Sequence, residues 1–206
     1  DRIDILIDLA GHTANNRLTL FGLGPAPVQA TYLGYPDTTG LPGMHYRITD
    51  ALADPPGMTD HLYTEKLVRL PGCFLCYRPP VPAPDVGPPP CLKTGRITFG
   101  SFNNRSKITR SVIRVWSEIL QKMPDSRLLI KAKPLADPDT RQALLDEFSR
   151  QGVQSGQIEF AGRIESRIEH LKLYNSIDIA LDTFPYNGTT TTCEALWMGV
   201  PVVVLK

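Results

Sequence analysis

Apolar segments of strand length recur along the chain and are separated by polar loops and amphipathic segments. The predicted strands are residues 3–9, 28–33, 46–49, 66–70, 96–102, 127–132, 157–161, 177–181 and 200–205. The predicted helices are residues 17–23, 139–151, 166–174, a segment that starts near residue 109 and a segment that ends at Gly199. Strand and helix alternate in the second half, which predicts an α/β fold with a parallel sheet covered by helices.

The helix that starts near residue 109 shows the clearest periodicity. Its apolar positions follow the spacing i, i+4, i+7 and i+11, and they are Val112, Trp116, Ile119 and Met123. This spacing places them on one face of a helix, so we expect that face to pack against the sheet.

The segment 79–90 contains seven prolines in twelve residues. Helix and sheet interiors do not tolerate this content, so we expect an extended, semi-rigid linker, with a segment recognised by a proline-binding partner as the alternative. Because it lies between two strand-rich halves, we predict a first domain over residues 1–78, a linker over 79–94 and a second domain over 95–206. The chain opens directly on a strand and stops directly after another, so we expect it to be a piece of a longer protein.

The most informative stretch is residues 177–205, where a strand, a loop, a helix and a strand follow one another. The helix begins in a run of N-cap candidates, which are Thr189, Thr190, Thr191 and Thr192. Ligands of open α/β sheets bind beyond the carboxyl ends of the strands, and the N–H groups and positive dipole of a helix start suit a diphosphate. Glu194 follows one turn later, where a carboxylate can bond to ribose hydroxyls. The alternative is that the threonines only cap the helix and Glu194 is a solvated acid.

His12 is a second candidate for chemistry. It lies in a glycine-flanked loop after the first predicted strand, where it could act as an acid or base near neutral pH or hydrogen-bond its own loop.

Charge is unevenly distributed along the chain. The segment from Arg96 to Lys133 contains nine Lys and Arg residues and only two acidic residues. This local excess could attract a phosphorylated ligand, or it could be the solvated face of a helix.

Composition excludes several classes of partner. The formal net charge of +1 argues against a general polyanion-binding protein, so we predict no nucleic-acid partner. The sequence has no apolar run of membrane-spanning length and no signal pattern, so we predict no membrane association. Cys73 and Cys76 have the two-residue gap of a metal or redox pair, but a full ligand set does not follow, and we interpret them as incidental loop cysteines. We expect a reducing, cytoplasmic environment.

Segments in both halves resemble the O-GlcNAc transferase/SPINDLY family of glycosyltransferases. They are GHTANN (11–16), PAPVQ (25–29), GYP (34–36), YRITD (46–50), FNNRSKIT (102–109), DTFPY (182–186), GTTTT (188–192) and CEAL (193–196). The resemblance covers almost the whole chain. It implies the GT-B architecture of two Rossmann-like domains, in which residues 1–78 end the N-terminal catalytic lobe and residues 95–206 hold the donor nucleotide.

The resemblance also implies roles for individual residues. The donor diphosphate is expected at Thr189–Thr192 and the ribose at Glu194. Lys107 is expected to stabilise the departing diphosphate, with a plain surface lysine as the alternative. Further donor contacts are expected from Asn104, Arg167 and His170, and His12 belongs to the lobe that faces the acceptor.

The implied reaction transfers a sugar to Ser or Thr hydroxyls of proteins and needs no cofactor. The one Asp-x-Asp pair, Asp137 and Asp139, precedes a helix with a proline between them, which indicates an N-cap and not a metal site, so we predict a metal-independent reaction. Animal O-GlcNAc transferases have a histidine where this chain has Thr189, and the threonine run is closer to the plant SPINDLY form. We predict UDP-GlcNAc as donor, with GDP-fucose as the alternative. A noncatalytic nucleotide-binding or interaction module is the alternative of a different class.

Overall fold

The computed structural model describes residues 2–205, which form two compact units that divide between Cys76 and Tyr77. Each unit contains one parallel β-sheet. Within residues 2–205 we find no helix with the length and apolar character needed to cross a bilayer.

The first unit contains a four-stranded sheet and little helix. Its strands are β1 (Ile5–Asp8), β2 (Val28–Tyr32), β3 (Tyr46–Asp50) and β4 (Lys66–Leu70). Its helical elements are α1 (Leu18–Phe21) and a 3₁₀ turn over Asp60–Leu62. The strands lie in chain order and every pair is parallel, so the loops after the strands share one edge of the sheet.

Polar groups and one close approach fix the loops at this edge. The carboxylate of Asp8 accepts hydrogen bonds from the backbone N–H of Gly11 (2.7 Å) and from the hydroxyl of Thr31 (3.0 Å), which ties the loop after β1 to β2. A Cβ atom at Gly34 would lie 2.1 Å from the carbonyl oxygen of Leu9. Only a glycine allows the loop after β2 to approach the end of β1 this closely.

Over its described residues, 77–205, the second unit has five strands and five helices. The strands are β5 (Thr98–Ser101), β6 (Arg127–Lys131), β7 (Ile158–Ala161), β8 (Ile179–Leu181) and β9 (Val202–Val203). The helices are α2 (Cys91–Thr94), α3 (Arg110–Lys122), α4 (Pro138–Arg150), α5 (Arg167–Lys172) and α6 (Thr190–Trp197). Short 3₁₀ turns cover Arg105–Lys107, Lys133–Ala136, Ser155–Gln157 and Leu173–Ser176.

The strand order of this sheet is β7-β6-β5-β8-β9, and all pairs are parallel. The chain therefore moves outward from β5 to β7 and then returns to the opposite side of β5 with β8. This is the order of a Rossmann-like half, and it creates a switch point between β5 and β8 where ligands of such sheets bind.

The core of the second unit lies between α3, α4 and the sheet. Val112, Trp116 and Leu120 of α3 are at most 2% exposed, and Leu144 of α4 is fully buried. The predicted core face of α3 is correct for Val112 and Trp116, while Ile119 is only partly buried. The prediction is wrong for Met123, which is 38% exposed, because the helix ends at Lys122 and Leu120 takes the buried position one turn after Trp116.

The predicted linker region contains one element that the sequence did not predict. Residues 91–94 form α2, because Pro90 fits at a helix start and no proline follows in these four residues. The region is also hydrogen-bonded within the second unit. The side chain of Asn175 accepts from the N–H of Gly87 at 3.0 Å, and the carboxylate of Asp178 accepts from the N–H of Cys91 at 2.9 Å.

The predicted cap of α4 is confirmed. The carboxylate of Asp137 accepts hydrogen bonds from the N–H of Thr140 at 2.8 Å and from its hydroxyl at 2.6 Å. These bonds hold the pKa of Asp137 below its ordinary value. Predicted strand 200–205 is shorter in the structure, where only Val202–Val203 pair as β9.

We expect Leu144→Ala to destabilise the second unit by about 2–5 kcal/mol, because it leaves a cavity in a fully buried site. Both tryptophans of the chain, Trp116 and Trp197, belong to this unit, so tryptophan fluorescence during urea unfolding reports on it directly. Leu92→Ala, at a side chain that is 77% exposed, is the matched control and should change the midpoint little. Equal midpoints for the two variants would contradict the assigned core.

Candidate active site

The switch point between β5 and β8 is organised by one buried carboxylate. Asp182 follows β8 and is 6% exposed. Its Oδ1 atom accepts three hydrogen bonds, from Asn103 Nδ2 (3.0 Å), from the N–H of Thr183 (2.8 Å) and from the N–H of Gly188 (2.7 Å). Asn103 follows β5, so this carboxylate joins the loops that leave the two strands on either side of the switch point.

Asn103 extends this network to the start of α6. Its Oδ1 atom accepts a hydrogen bond from the hydroxyl of Thr191 at 2.8 Å. Little space remains beside these groups. A Cβ at Gly188 would lie 2.6 Å from Thr191 Oγ1, 2.8 Å from Asn103 Oδ1 and 2.9 Å from Thr192 Oγ1. Gly188 is therefore a glycine because the loop and the helix start pack against each other here.

The loop before α6 is held by its own hydrogen bonds. The hydroxyl of Thr183 donates to the carbonyl of Tyr186 at 2.7 Å, and Asn187 Nδ2 donates to the carbonyl of Thr183 at 3.0 Å. Helix α6 begins at Thr190, and the side chain of Thr189, its N-cap residue, makes no capping hydrogen bond. The first-turn N–H groups of a helix have no acceptor within the helix, so this start can receive an anion.

Lys107 lies against the same loop. Its Nζ atom donates a hydrogen bond to the carbonyl of Asn187 at 2.7 Å and lies 3.7 Å from the ring centroid of Tyr186, a cation–π contact. The amine is half-buried. Burial lowers the pKa of Lys107, and the negative charge of Asp182 opposes this shift. The structure thus brings the predicted cation and the predicted threonine-rich helix start together at one edge of the sheet.

A second cluster surrounds Glu194, one turn into α6. Its Oε2 atom lies 2.9 Å from His170 Nε2 and 3.2 Å from the hydroxyl of Tyr174. The Glu194 side chain is only 14% exposed, so the alternative that it is a solvated acid is wrong. Burial and the charge of Glu194 raise the pKa of Tyr174, which keeps its phenol protonated as a hydrogen-bond donor.

Two polar atoms near this cluster are buried and have no hydrogen-bond partner among residues 2–205. They are Nδ1 of His170 and the hydroxyl of Tyr77. Nε2 of His170 faces the Glu194 carboxylate, which only accepts, so Nε2 is the donor of that contact and Nδ1 is the ring nitrogen left without a partner among the described residues. Buried polar groups usually have partners, so both atoms are suited to bond a ligand.

Sequence reasoning missed several of these residues. The pKa of Tyr77 is raised by burial and by the charges of Glu194 and Cys193, and Arg167 opposes the shift. Burial lowers the pKa of Lys131, and the negative charge of Glu194 opposes this shift. Lys131 is the last residue but one of predicted strand 127–132 and could have been found from that position. Tyr77 gives no comparable signal in the sequence.

The remaining predicted residues have the following surroundings. Asn104 is exposed, and its side chain accepts a hydrogen bond from the N–H of Ser106 at 3.2 Å, which caps the turn that carries Lys107. Arg167 is exposed at the first position of α5. The donor contacts proposed for both residues stay predictions.

His12 belongs to the first unit. It is exposed, and its Nε2 atom donates to the carbonyl of Thr39 at 2.8 Å. Its ring meets the ring of Tyr35 edge-on, with centroids 5.3 Å apart. The alternative left open by the sequence was a hydrogen bond within the loop of His12, whereas the observed partner belongs to the loop after β2. A catalytic role for His12 stays a prediction.

Within residues 2–205 we find no group of three or more His, Cys, Asp or Glu side chains placed to hold a metal ion. A metal-independent reaction stays a prediction. In the second unit, the amine of Lys107 and the first N–H groups of α6 can bind a diphosphate. The buried carboxylate of Glu194 and the unpartnered polar atoms near it can bind the groups attached to that diphosphate.

Comparison with known proteins finds relatives that match the whole chain. The SPINDLY protein of Arabidopsis thaliana, named a probable UDP-N-acetylglucosamine–peptide N-acetylglucosaminyltransferase, is 52% identical over 205 residues, which are 100% of this chain and 22% of that protein. The SEC protein of the same plant, with the same enzyme name, is 34% identical over 213 residues, or 100% of this chain and 21% of its own. The chain thus spans about a fifth of the length of these relatives.

A solved structure of a related enzyme has the same fold. A mutant O-GlcNAc transferase of Thermobaculum terrenum superposes with a TM-score of 0.90 and 43% identity, over 98% of this chain and 38% of that one. The predicted GT-B class and the resemblance to the O-GlcNAc transferase/SPINDLY enzymes are confirmed. Residues 1–77 and 91–206 match the model of glycosyl transferase family 41, and the chain belongs to this family.

Proposed function

We propose that this chain forms the donor-binding part of a protein O-glycosyltransferase that moves GlcNAc from UDP-GlcNAc to Ser or Thr hydroxyls of proteins. One observation carries the proposal: the Lys107 amine lies 2.7 Å from the carbonyl of Asn187, in the loop that leads directly into the threonine-rich start of α6. A cation and a helix start therefore meet where the donor diphosphate would bind. The names of the relatives support the nucleotide sugar and the protein acceptor.

The proposed chemistry breaks the bond between the sugar anomeric carbon and the diphosphate and forms a bond from that carbon to the acceptor oxygen. The acceptor hydroxyl loses its proton, and negative charge builds on the departing diphosphate. Lys107 would exchange the carbonyl of Asn187 for a diphosphate oxygen, while the first N–H groups of α6 donate from the helix side. Both donors are in place before the reaction, which is the arrangement that stabilises developing charge most effectively.

Glu194 would hold the ribose. Its carboxylate is oriented by Tyr174 and His170 before any ligand arrives. A carboxylate can accept several hydrogen bonds, so these two contacts leave capacity for ribose hydroxyls. His12 is retained as the candidate acid or base of the first unit, and its Nδ1 atom is the ring nitrogen that does not bond Thr39.

A GDP-fucose donor is the second candidate function. It is favoured by Thr189, which stands where the animal O-GlcNAc transferases have a histidine, and by the higher identity to SPINDLY (52%) than to SEC (34%). The names of both relatives state UDP-N-acetylglucosamine, which is why we place UDP-GlcNAc first. We also expect a cytoplasmic location and an absence of cofactors.

Competitive titration of the full-length protein with UDP, GDP, UDP-GlcNAc and GDP-fucose tests the donor. We expect UDP and UDP-GlcNAc to bind more tightly, and we expect glycosylation of acceptor proteins from the same cell. Preference for GDP would favour the fucosyltransferase. Binding without turnover would favour a noncatalytic module, and binding of neither nucleotide would reject the proposed site.

Lys107→Gln should lower kcat by about 10²–10³, the usual cost of removing one donor to developing negative charge. In the variant, the Kd for UDP should no longer rise at alkaline pH. The pKa of Lys107 is lowered by burial, so raising the pH removes its proton earlier than for an ordinary lysine, and the Kd for UDP should rise above that pKa and be constant below it. Calorimetric titration over a pH series measures this.

Lys122→Gln, at an exposed lysine of α3, is the matched control and should keep both the rate and the pH profile of the unchanged protein. If Lys107→Gln and Lys122→Gln had the same kcat, Lys107 would not be the leaving-group cation.

Gly188→Ala should weaken UDP binding about tenfold or more. The added Cβ would lie 2.6 Å from Thr191 Oγ1, which must move and break its bond to Asn103. Overpacking of this kind costs about 1–3 kcal/mol. Gly156→Ala is the matched control, since no atom lies within 4 Å of a Cβ there, and it should leave the Kd for UDP unchanged. Tight UDP binding by Gly188→Ala would show that the packing of loop and helix start is not required.

A further inference from the structure

The first unit ends in a cysteine pair that the proposed donor site does not use. Cys73 and Cys76 are both exposed, and neither is in a disulfide. They are separated by two residues, and the chain bends at Phe74 between them. Intramolecular disulfides need Cα atoms about 4.4–6.8 Å apart, a separation that a bend within four residues favours.

The bend is fixed from two strands of the sheet. The hydroxyl of Tyr32, at the end of β2, donates to the carbonyl of Phe74 at 2.6 Å. The N–H of Phe74 donates to the carboxylate of Asp50, at the end of β3, at 2.7 Å. Both backbone groups of Phe74, one of the two residues between the cysteines, are therefore hydrogen-bonded, so the segment that carries the two thiols is anchored to the sheet.

The buried Asp50 stays ionised in this role. Burial alone would raise the pKa of Asp50, but the N–H groups of Ala53, Phe74 and Leu52 that it accepts hold the pKa below its ordinary value. The hydrogen bond to Phe74 therefore persists across the neutral pH range.

Local groups favour reaction at Cys73. Its Sγ atom accepts a hydrogen bond from the N–H of Leu75 at 3.4 Å, a contact that stabilises a thiolate. The pKa of Tyr32 is raised by burial and then by the charges of Cys76 and Cys73, so both sulfur atoms lie near one phenol. Cys91 differs, because its hydrogen bond to Asp178 raises its pKa and keeps its thiol protonated.

We propose that Cys73 and Cys76 form a reversible dithiol–disulfide site that reacts with low-molecular-weight disulfides such as oxidised glutathione. The Cys73 thiolate attacks one sulfur of oxidised glutathione, which forms a mixed disulfide and releases one glutathione thiolate. The Cys76 thiolate then attacks Cys73 Sγ, which closes the intramolecular disulfide and releases the second glutathione thiolate. The two cysteine protons end on the two glutathione molecules, so two protein thiols are oxidised and one glutathione disulfide is reduced.

The opposing interpretation is a metal pair. Structural zinc takes four ligands, and no group of three or more candidate ligands occurs among residues 2–205. A redox pair needs only the two thiols that are present, so the observations favour oxidation.

The test equilibrates the full-length protein with glutathione buffers from fully reduced to fully oxidised, traps free thiols with N-ethylmaleimide and identifies peptides by mass spectrometry. As the buffer becomes more oxidising, we expect the peptide that contains Cys73 and Cys76 to lose two hydrogen atoms and both labels together, at a single midpoint of the glutathione titration. Cys91→Ser should leave that midpoint unchanged. Cys76→Ser should instead accumulate a mixed disulfide of Cys73 with glutathione.

Tyr32→Phe distinguishes a coupled dithiol site from two cysteines that react independently of each other. It removes the hydrogen bond to Phe74, so the midpoint should move to more oxidising buffers as the bend loosens. Independent labelling of the two cysteines, with Cys73 unaffected by Cys76→Ser, would overturn the proposal. So would stoichiometric zinc retained by the reduced protein and lost in Cys76→Ser.

Discussion

The proposed donor site depends on the buried carboxylate of Asp182. A buried carboxylate is costly unless hydrogen bonds satisfy it, and this one receives three at a single oxygen. The donors are Asn103 and Thr183, each two residues past the end of β5 and β8 respectively, and Gly188 in the loop before α6. Satisfying one buried charge therefore fixes the positions of three separate backbone segments at the switch point of the sheet.

The same charge acts on the cation. Burial disfavours the protonated form of Lys107, and the nearby negative charge of Asp182 opposes that effect. Asp182 thus has two linked roles, since it shapes the loop whose carbonyl Lys107 contacts and supports the charge that Lys107 carries. The pair is separated in the chain by the whole of β6, β7 and their helices, so only the sheet topology brings it together.

The sequence allowed the positions of Lys107 and the threonine run to be predicted because each follows a strand, and strand ends of a parallel sheet share an edge. It did not indicate Asp182, because its role depends on Asn103, a partner 79 positions away. Tyr77 and Tyr174 were missed as site residues for the same reason: their relation to Glu194 comes from packing and not from spacing. The burial of Met123 was predicted wrongly because periodicity continues past the point where a helix ends. Helix α2 was missed because the predicted linker continued to residue 94, although the last proline is Pro90 and residues 91–94 contain none.

Helix α6 separates two opposite electrostatic tasks along its axis. Its first residues follow the loop that Lys107 contacts and offer positive potential, while Glu194 places a negative charge one turn later. With a rise of 1.5 Å per residue, the four steps from Thr190 to Glu194 span about 6 Å. A nucleoside diphosphate has the matching arrangement, with charged phosphates followed by neutral hydroxyls that donate hydrogen bonds. Thr191 connects the two ends, because its hydroxyl bonds Asn103 and its carbonyl lies 3.2 Å from the hydroxyl of Tyr174. The anion end and the carboxylate end are thus parts of one hydrogen-bonded unit, which explains why a short helix of eight residues can hold both in fixed register.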